Sequence, residues 1–515
     1  EGSYYQAFEV VAQVKAGENN LLSVGGQTFV LGKDFQPLVF SMDTAAEAQV
    51  MSVGYGITTE DYNDYKGVDV AGKIVLIMRG SPDADNPHSK FYHESATRRK
   101  AAVAAGKGAA GLLIYSTTED EDELIPLNYD NTSSNYGIPV FSIRRNIALQ
   151  LLGMNSEKFA GYQNRLNAKS PFTFITQSTV KMRSEVEFIR KKTNNVLGYL
   201  EGSDANLKNE IVVVGAHFDH LGLGGGTSLY RGEPSVHNGA DDNASGTAAI
   251  LEIAQKLIHE KKSIRLSVLF IGFSGEEMGL LGSKYFVERP TVDLKSIAAM
   301  FNFDMVGRLR DKKLIINGVG TSPKFRDLVT SSVDTSRIDP VLKDDGNGPS
   351  DYAEFYRKDI PVIAFFTNTH EDYHKPTDDA DKINYDGQAA IAALGYRLIT
   401  QITGDSVRPV FTKTQSTESR GGMGFKVSLG IVPNYADEGD GLKVDGVNPG
   451  GAGDKAGILK GDVIIKFGDR VIKNVYDYTY ALGELKAGDK VDIVIKRNGQ
   501  EMKLQAVMQK SKRVN

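Results

Sequence analysis

Five short stretches hold the imidazole and carboxylate groups best placed for chemistry. They read AHFDH (216–220), GADDNASG (239–246), SGEEMGLLGS (274–283), NFDMVG (302–307) and DYHKPTDD (372–379). His217 and Asp219 are two residues apart, so in extended chain both side chains point the same way. A metal-bound histidine usually gives its second N–H to a carboxylate, a part Asp219 could play. Asp241 and Asp242 are adjacent; a helix start accounts for one acid as a cap, not for two. A bridging metal ligand is the other reading of the pair. Glu276 and Glu277 pose the same question, since one could ligate a cation while the other acts as a base. Asp304 ends an apolar run, and His374 follows the strand-like run Pro361–Phe366. Two histidines and several carboxylates, with no thiolate, suit a catalytic rather than a structural zinc. Two metals ~3.5–4 Å apart can share one carboxylate and activate a water.

Elements of α/β type must position these groups. Ile211–Ala216, Ile264–Phe273 and Ile297–Phe303 are apolar runs of strand character, each ending where acids or imidazoles begin. Between the first two, Thr247–His259 has helical periodicity, with Leu251, Ala254, Leu257 and Ile258 on one face. The pattern is β–α–β, and ligands of open α/β sheets bind beyond the carboxyl ends of the strands. Lys313–Ile316 and Pro361–Phe366 extend the sheet, and Pro323–Val333 is a further helix.

Bulk composition narrows the function. At 515 residues the chain should hold about three to four domains. The net charge of −5, with no long basic run, argues against a nucleic-acid partner. No apolar stretch approaches the ~18 residues of a membrane span. Zero cysteines exclude thiolate chemistry and disulfides. The absence of an initiating Met and of a signal peptide leads us to expect a mature or trimmed chain.

Along the chain, Tyr4–Val14 is a helix candidate in an N-terminal segment, 1–45, expected to pack on a neighbouring domain. Within 46–170, strands at Lys73–Met78, Gly111–Tyr115 and Ile138–Ser142 surround an alanine-rich helix, Glu94–Gly106, ended by glycine. The segments GKIVLIMRG, GAAGLLIY and GIPVFSI resemble the protease-associated (PA) domain. His88 and His93 in this segment read as loop or surface histidines, and Glu119–Glu123 as a solvated loop. A Thr/Ser/Gly-rich linker at 411–422 separates the α/β segment from 423–515. There Phe425–Val432, Leu442–Val447, Asp462–Phe467, Lys490–Lys496 and Met502–Val507 are short strand candidates. SLGI (428–431) and VDGVNPGGAGDKAGILKGDVIIKFGD (444–469) resemble a PDZ domain. That resemblance implies a C-terminal peptide ligand beside Leu429, Gly430 and Ile431, in a groove that Gly439–Gly441 could reshape.

Taken together, the five motifs over about 183–406 resemble peptidase family M28, the co-catalytic zinc aminopeptidases and their carboxypeptidase relatives. The resemblance implies a mixed-sheet zinc-exopeptidase core with helices on both faces, at 171–410, and two Zn2+ per chain. It implies Asp241 as bridging ligand, followed by a cis peptide to Asp242. His217 and Asp304 would complete one zinc, and Glu277 and His374 the other. Glu276 would be the general base, Asp219 would orient His217, and Tyr373 would donate to the oxyanion. Tyr352 stands where many members have histidine, at a position expected to touch substrate. His237 is a candidate outer-layer residue, His220 and His370 are loop residues near the site, His259 lies on a helix surface, and Gly222–Gly226 forms a site loop. The activity implied is removal of N-terminal residues from short peptides by an exported, periplasmic or cell-surface enzyme. The alternatives are a carboxypeptidase, with Arg308 or Arg310 meeting the substrate carboxylate, a glutaminyl-cyclase-like enzyme, and a non-catalytic PA/PDZ binding protein.

Overall fold

The structure, a computed structural model, describes residues 3–83, 89–129, 135–224, 227–230, 232–260, 264–414, 427–433, 441–472, 477–478, 481–482 and 485–510. His88, Gly439, Asp440 and most of the expected linker lie outside these residues. The chain divides into two units, one formed by 1–10 and 192–514, the other by 11–191.

The first unit contains an eight-stranded mixed sheet. Its order is Tyr5–Ala16, Val186–Leu200, Ser267–Phe273, Ile211–His217, Ile297–Phe303, Val362–Phe366, Lys313–Asn317 and Asp339–Leu342. Ile211–His217 lies at the centre, parallel to both neighbours. All seven of its residues are buried, as a parallel strand covered on both faces requires. The helix Gly246–His259 buries Ala249, Ile250, Ile253 and Leu257 in one core with Tyr385–Gly404. Of the expected face only Leu257 is buried; Ala254 is half-buried, and Leu251 and Ile258 are exposed. The helix carries more than one apolar stripe, and burial goes to the one that meets the sheet and the second helix. Residue 395 of that second helix is a glycine because a methyl there would collide with the Phe303 ring.

Tyr5–Ala16, expected as a helix, is a strand. Gln6, Phe8 and Val11 are buried while Tyr5, Ala7 and Glu9 are exposed. Pairing with Val186–Leu200 at the sheet edge overrides the weak helical spacing. Within the same unit, a six-stranded sheet is built from Ile431–Pro433, Leu442–Val447, Val463–Phe467, Lys490–Arg497 and Gln500–Val507, with Arg470–Val471 beside the third. The run Phe425–Val432, expected as one strand, is broken at Gly430, whose φ of +74° ends Val427–Ser428 before Ile431–Pro433 begins.

The second unit is another eight-stranded sheet. Ala45–Val53, Ile74–Met78, Gly111–Tyr115 and Val140–Ile143 run parallel through its centre. The alanine-rich helix is two pieces, Tyr92–Ser95 and Thr97–Gly106. Its Lys100 is buried and donates from Nζ to the carbonyls of Met78 (2.9 Å) and Gly80 (2.6 Å). Burial pushes this amine down to about 7, against the pull of Asp64. An exposed lysine titrates near ~10.4. Between those values the unfolded chain holds the extra proton, so this unit gains stability as pH rises. The melting temperature of the unsubstituted unit should therefore gain on that of Lys100→Met from about pH 7 to about pH 10. A gap that stays constant across that window would show that Lys100 is not held in this state.

Candidate metal centre

The central strands deliver their polar residues at one edge of the sheet. His217 is the last residue of Ile211–His217, and Asp304 follows Ile297–Phe303 directly. Glu276 and Glu277 sit in the turn after Ser267–Phe273. Asp241 and Asp242 lie in a tight turn, Ala240–Ser245, ahead of the helix Gly246–His259. His374 follows Val362–Phe366 and adopts a left-handed backbone, φ +54°. Gly246 closes the turn, where a methyl would strike the Phe303 carbonyl and the Asn243 side chain.

Two sets of donor atoms converge on Asp242. Its Oδ1 is 3.4 Å from His217 Nε2, which is also 3.4 Å from Asp304 Oδ1. Its Oδ2 is 3.3 Å from His374 Nε2, which is 3.3 Å from Glu277 Oε2. Zinc bonds of ~2.0–2.1 Å at a tetrahedral angle place ligand atoms roughly 3.3–3.4 Å apart. The four spacings therefore fit two cations sharing one carboxylate, each oxygen serving one of them. His220 Nδ1 is 2.7 Å from Glu277 Oε1, a direct hydrogen bond shorter than that spacing, and 4.0 Å from Asp242 Oδ2. His220, Asp242 and Glu277 also form a cluster whose donor atoms lie within 4.8 Å of one another.

The ligand side chains are fixed from behind. His217 Nδ1 donates to the backbone carbonyl of Asp219 at 3.1 Å, while the Asp219 carboxylate is 3.9 Å away. That carboxylate instead accepts the backbone N–H groups of Glu276 (3.1 Å) and Glu277 (3.4 Å). Asp219 therefore orients His217 through its main chain and the two glutamates through its side chain. His374 Nδ1 donates to the carbonyl of Thr227 at 2.9 Å, so the loop after His220 sets the ring that presents Nε2. Ser228 in that loop bonds His237 Nε2 at 2.8 Å, which places His237 one layer out.

The carboxylate that lies between His217 and His374 is that of Asp242, where the resemblance implied Asp241. The cis peptide likewise joins Asp242 to Asn243, one residue later than expected. Asp241 points away: its Oδ1 accepts from Gly307 N–H (2.6 Å) and Ser245 Oγ (3.0 Å), and its Oδ2 is 3.2 Å from His370 Nε2. Side-chain register in the turn decides between two adjacent and chemically identical residues.

The electrostatics match a site built for cations. Burial alone would lower the His217 imidazole, but Glu276, Asp304 and Asp242 outweigh it and push it well above the usual histidine value. Burial also opposes the His374 cation, yet Asp242 and Glu277 raise this imidazole to about 10. Against the same desolvation, His217 and His374 hold Asp242 below the carboxylate range. Glu276 goes the other way. Burial raises it well above an ordinary glutamate, and Asp304, Asp351 and Glu277 add to this against the opposing His217. Asp351, which the sequence did not single out, is fully buried behind the site and is pushed up to about 7, chiefly by desolvation.

Tyr373 stacks on His374 with ring centroids 3.9 Å apart. Burial, then Asp242 and Glu277, raise its phenol well above the usual value, which keeps it a neutral O–H donor. Tyr352 is buried in a cluster with Phe273, Phe286 and Phe355. Arg308 donates to Asp372 at 3.0 Å and lies 3.8 Å from Asp378; Arg310 donates to the carbonyls of residues 367, 368 and 369. His93 and His259 are exposed.

Residues 195–399 match the family model of peptidase family M28, residues 35–151 the PA domain and residues 422–507 the PDZ domain. The chain is similar to aminopeptidase YwaD of Bacillus subtilis, 28% identical over 66% of this chain and 66% of the relative. It is 26% identical to an aminopeptidase of Pseudomonas aeruginosa, over 80% of this chain and 75% of the relative. It is 28% identical to the probable lipoprotein aminopeptidase LpqL of Mycobacterium tuberculosis, over 58% of this chain and 49% of the relative. Among solved structures, an aminopeptidase from Aneurinibacillus sp. strain AM-1 aligns with a TM-score of 0.45 at 23% identity, covering 80% of this chain and 86% of that one.

Asp242→Ala, which removes the shared ligand, should abolish retention of both zinc ions after dialysis, whereas Asp304→Ala should lose one. Metal content per chain reads the difference. Loss of both ions from Asp241→Ala, with both retained by Asp242→Ala, would reverse the assignment.

Proposed function

We propose that this chain is a zinc aminopeptidase acting on short peptides, as the match of residues 195–399 to peptidase family M28 and the PA and PDZ matches support. The observation that carries this reading is the pair of donor sets spaced 3.3–3.4 Å around Asp242. His217, Asp242 and Asp304 would hold one Zn2+; Asp242, Glu277 and His374 would hold the second. The nitrogen and oxygen donors, without thiolate, suit catalytic zinc. We divide the chain into an N-terminal segment at 1–45, a PA domain at 46–170, a peptidase domain at 171–410, a linker at 411–422 and a PDZ domain at 423–515.

Bound zinc supplies Lewis acidity toward the scissile carbonyl and lowers the pKa of water. The chain's own residues do the rest. Glu276, 4.0 Å from His217 Nε2 and raised in pKa, takes the proton of the attacking water and returns it to the leaving amine. Tyr373 donates its phenolic hydrogen to the developing oxyanion. His220 keeps Glu277 in place, and Asp219 fixes the turn that carries both glutamates.

The preference for an N-terminal substrate end rests on the aminopeptidase relatives and on the state of the basic residues. The two arginines that could have met a substrate carboxylate, Arg308 and Arg310, are both committed to protein acceptors. This disfavours the carboxypeptidase alternative. Export to the periplasm or cell surface fits the lipoprotein relative. Among the described residues no helix is long and apolar enough to cross a membrane. The PDZ loop at Leu429, Gly430 and Ile431 is the place for a C-terminal peptide.

Glu276→Gln should lower kcat by about 10²–10⁴-fold with zinc content unchanged. Undiminished turnover would remove Glu276 as the base. Mass spectrometry of a peptide mixture should show loss of N-terminal residues only where the amine is free. Trimming from the other end, or loss of ammonia or water from N-terminal Gln or Glu, would move the assignment to carboxypeptidase or cyclase.

A further inference from the structure

The turn that carries Asp242 is held by a residue far along the chain. Asp378 Oδ2 accepts two consecutive backbone N–H groups, those of Asp241 (2.9 Å) and Asp242 (3.0 Å). The Asp378 backbone carbonyl takes a third, that of Ala240, at 3.0 Å. Three successive main-chain donors of the ligand turn therefore end on one residue. Asp378 is fully buried, so its carboxylate is present at the cost of desolvation and must be compensated. The compensation is directional. Its Oδ1 faces Arg308 Nη1 at 3.8 Å, and Arg308 is anchored through Nη2 to Asp372. Asp372 in turn accepts from Thr377 and Lys382, both at 2.7 Å. On the other side of the turn, Asp241 Oδ1 accepts from Gly307 N–H and Ser245 Oγ.

This layer ties the Asp242 backbone and leaves its carboxylate to the two histidines. One oxygen faces His217 and the other His374, which is the orientation a shared ligand needs. We propose that Asp378, through the backbone N–H groups it accepts, is a positioning residue that sets the bridging carboxylate for two metals. The proposal rests on the zinc reading above, and its chemistry is backbone hydrogen bonding rather than metal contact. A turn released from Asp378 would let Asp242 rotate toward one histidine and lose its hold on the other metal.

The test compares Asp378→Ala and Asp378→Asn with the unsubstituted chain, each stripped of metal and titrated with zinc against a chromophoric chelator. Outer-layer partners of metal ligands typically contribute about 10–100-fold in affinity. Asp378→Ala should weaken zinc binding by that factor, and kcat measured at saturating zinc should fall while KM stays within about threefold of the unsubstituted chain. Asp378→Asn retains an oxygen that can accept the two N–H groups and should recover most of the affinity; it also serves if Asp378→Ala does not fold. Zinc affinity of folded Asp378→Ala within threefold of the unsubstituted chain, whatever its melting temperature, overturns the proposal. So does an Asn variant as weak as Ala. Failure of the unsubstituted chain itself to bind zinc overturns the functional reading instead, and the two failures are separate measurements.

Discussion

Crowding of like charge is the constraint on which this molecule turns. Asp219, Asp242, Glu276, Glu277 and Asp304 converge on two imidazoles, and Asp351 lies buried behind them. Buried carboxylates are tolerated only when paired or hydrogen-bonded. Each one here is given a distinct environment. Asp219 caps a pair of backbone amides, Asp242 lies between His217 and His374, Glu277 is held by His220, and Asp351 is eased toward its neutral form. Glu276 is left with the most unfavourable surroundings for a negative charge, and that is what equips it to take a proton.

The sheet makes such crowding affordable in entropy. Parallel strands ending at one edge bring residues from 217 to 304 together without long side-chain reaches, and rigid strands hold them better than loops would. Close backbone approach does the remainder. Gly239 lets the His220 ring lie against the turn, Gly246 lets Asn243 meet the Phe303 carbonyl, and Gly307 brings its amide to Asp241. A side chain at any of these would push apart segments whose spacing is set to a few tenths of an ångström.

Much of the site is readable because its residues sit where apolar runs stop. His217, Glu276, Glu277, Asp304 and His374 all follow strands that hydrophobicity marks out. What cannot be read is decided by tertiary contacts. Asp241 and Asp242 have the same side chain, and which of them faces the histidines is settled by contacts from elsewhere in the chain, among them the Gly307 amide on the Asp241 carboxylate. Asp351 sits in PSDYAEF without any local sign of its burial. The N-terminal strand passes for a helix because alternation in YQAFEVVAQV is imperfect, and its partner lies nearly two hundred residues on. The helix Gly246–His259 is visible in the periodicity, but its buried face is set by a second helix, Tyr385–Gly404, that the sequence alone does not delineate.

That N-terminal strand has a wider meaning. Tyr5–Ala16 and Val186–Leu200 run antiparallel, from Leu197 N–H on the Tyr4 carbonyl to Gly17 N–H on the Glu185 carbonyl. Together they are the two arms of one hairpin, and everything between them stands in place of its turn. Closing so long a loop costs little more than closing a short one, since the entropy grows only with the logarithm of length. The arms sit at the outer edge of the sheet, with Ser267–Phe273 between them and the strand that ends at His217. The segment between them therefore leaves and re-enters the sheet through one pair of edge strands, and the strands that carry the chemistry at the sheet centre all come after it in the chain.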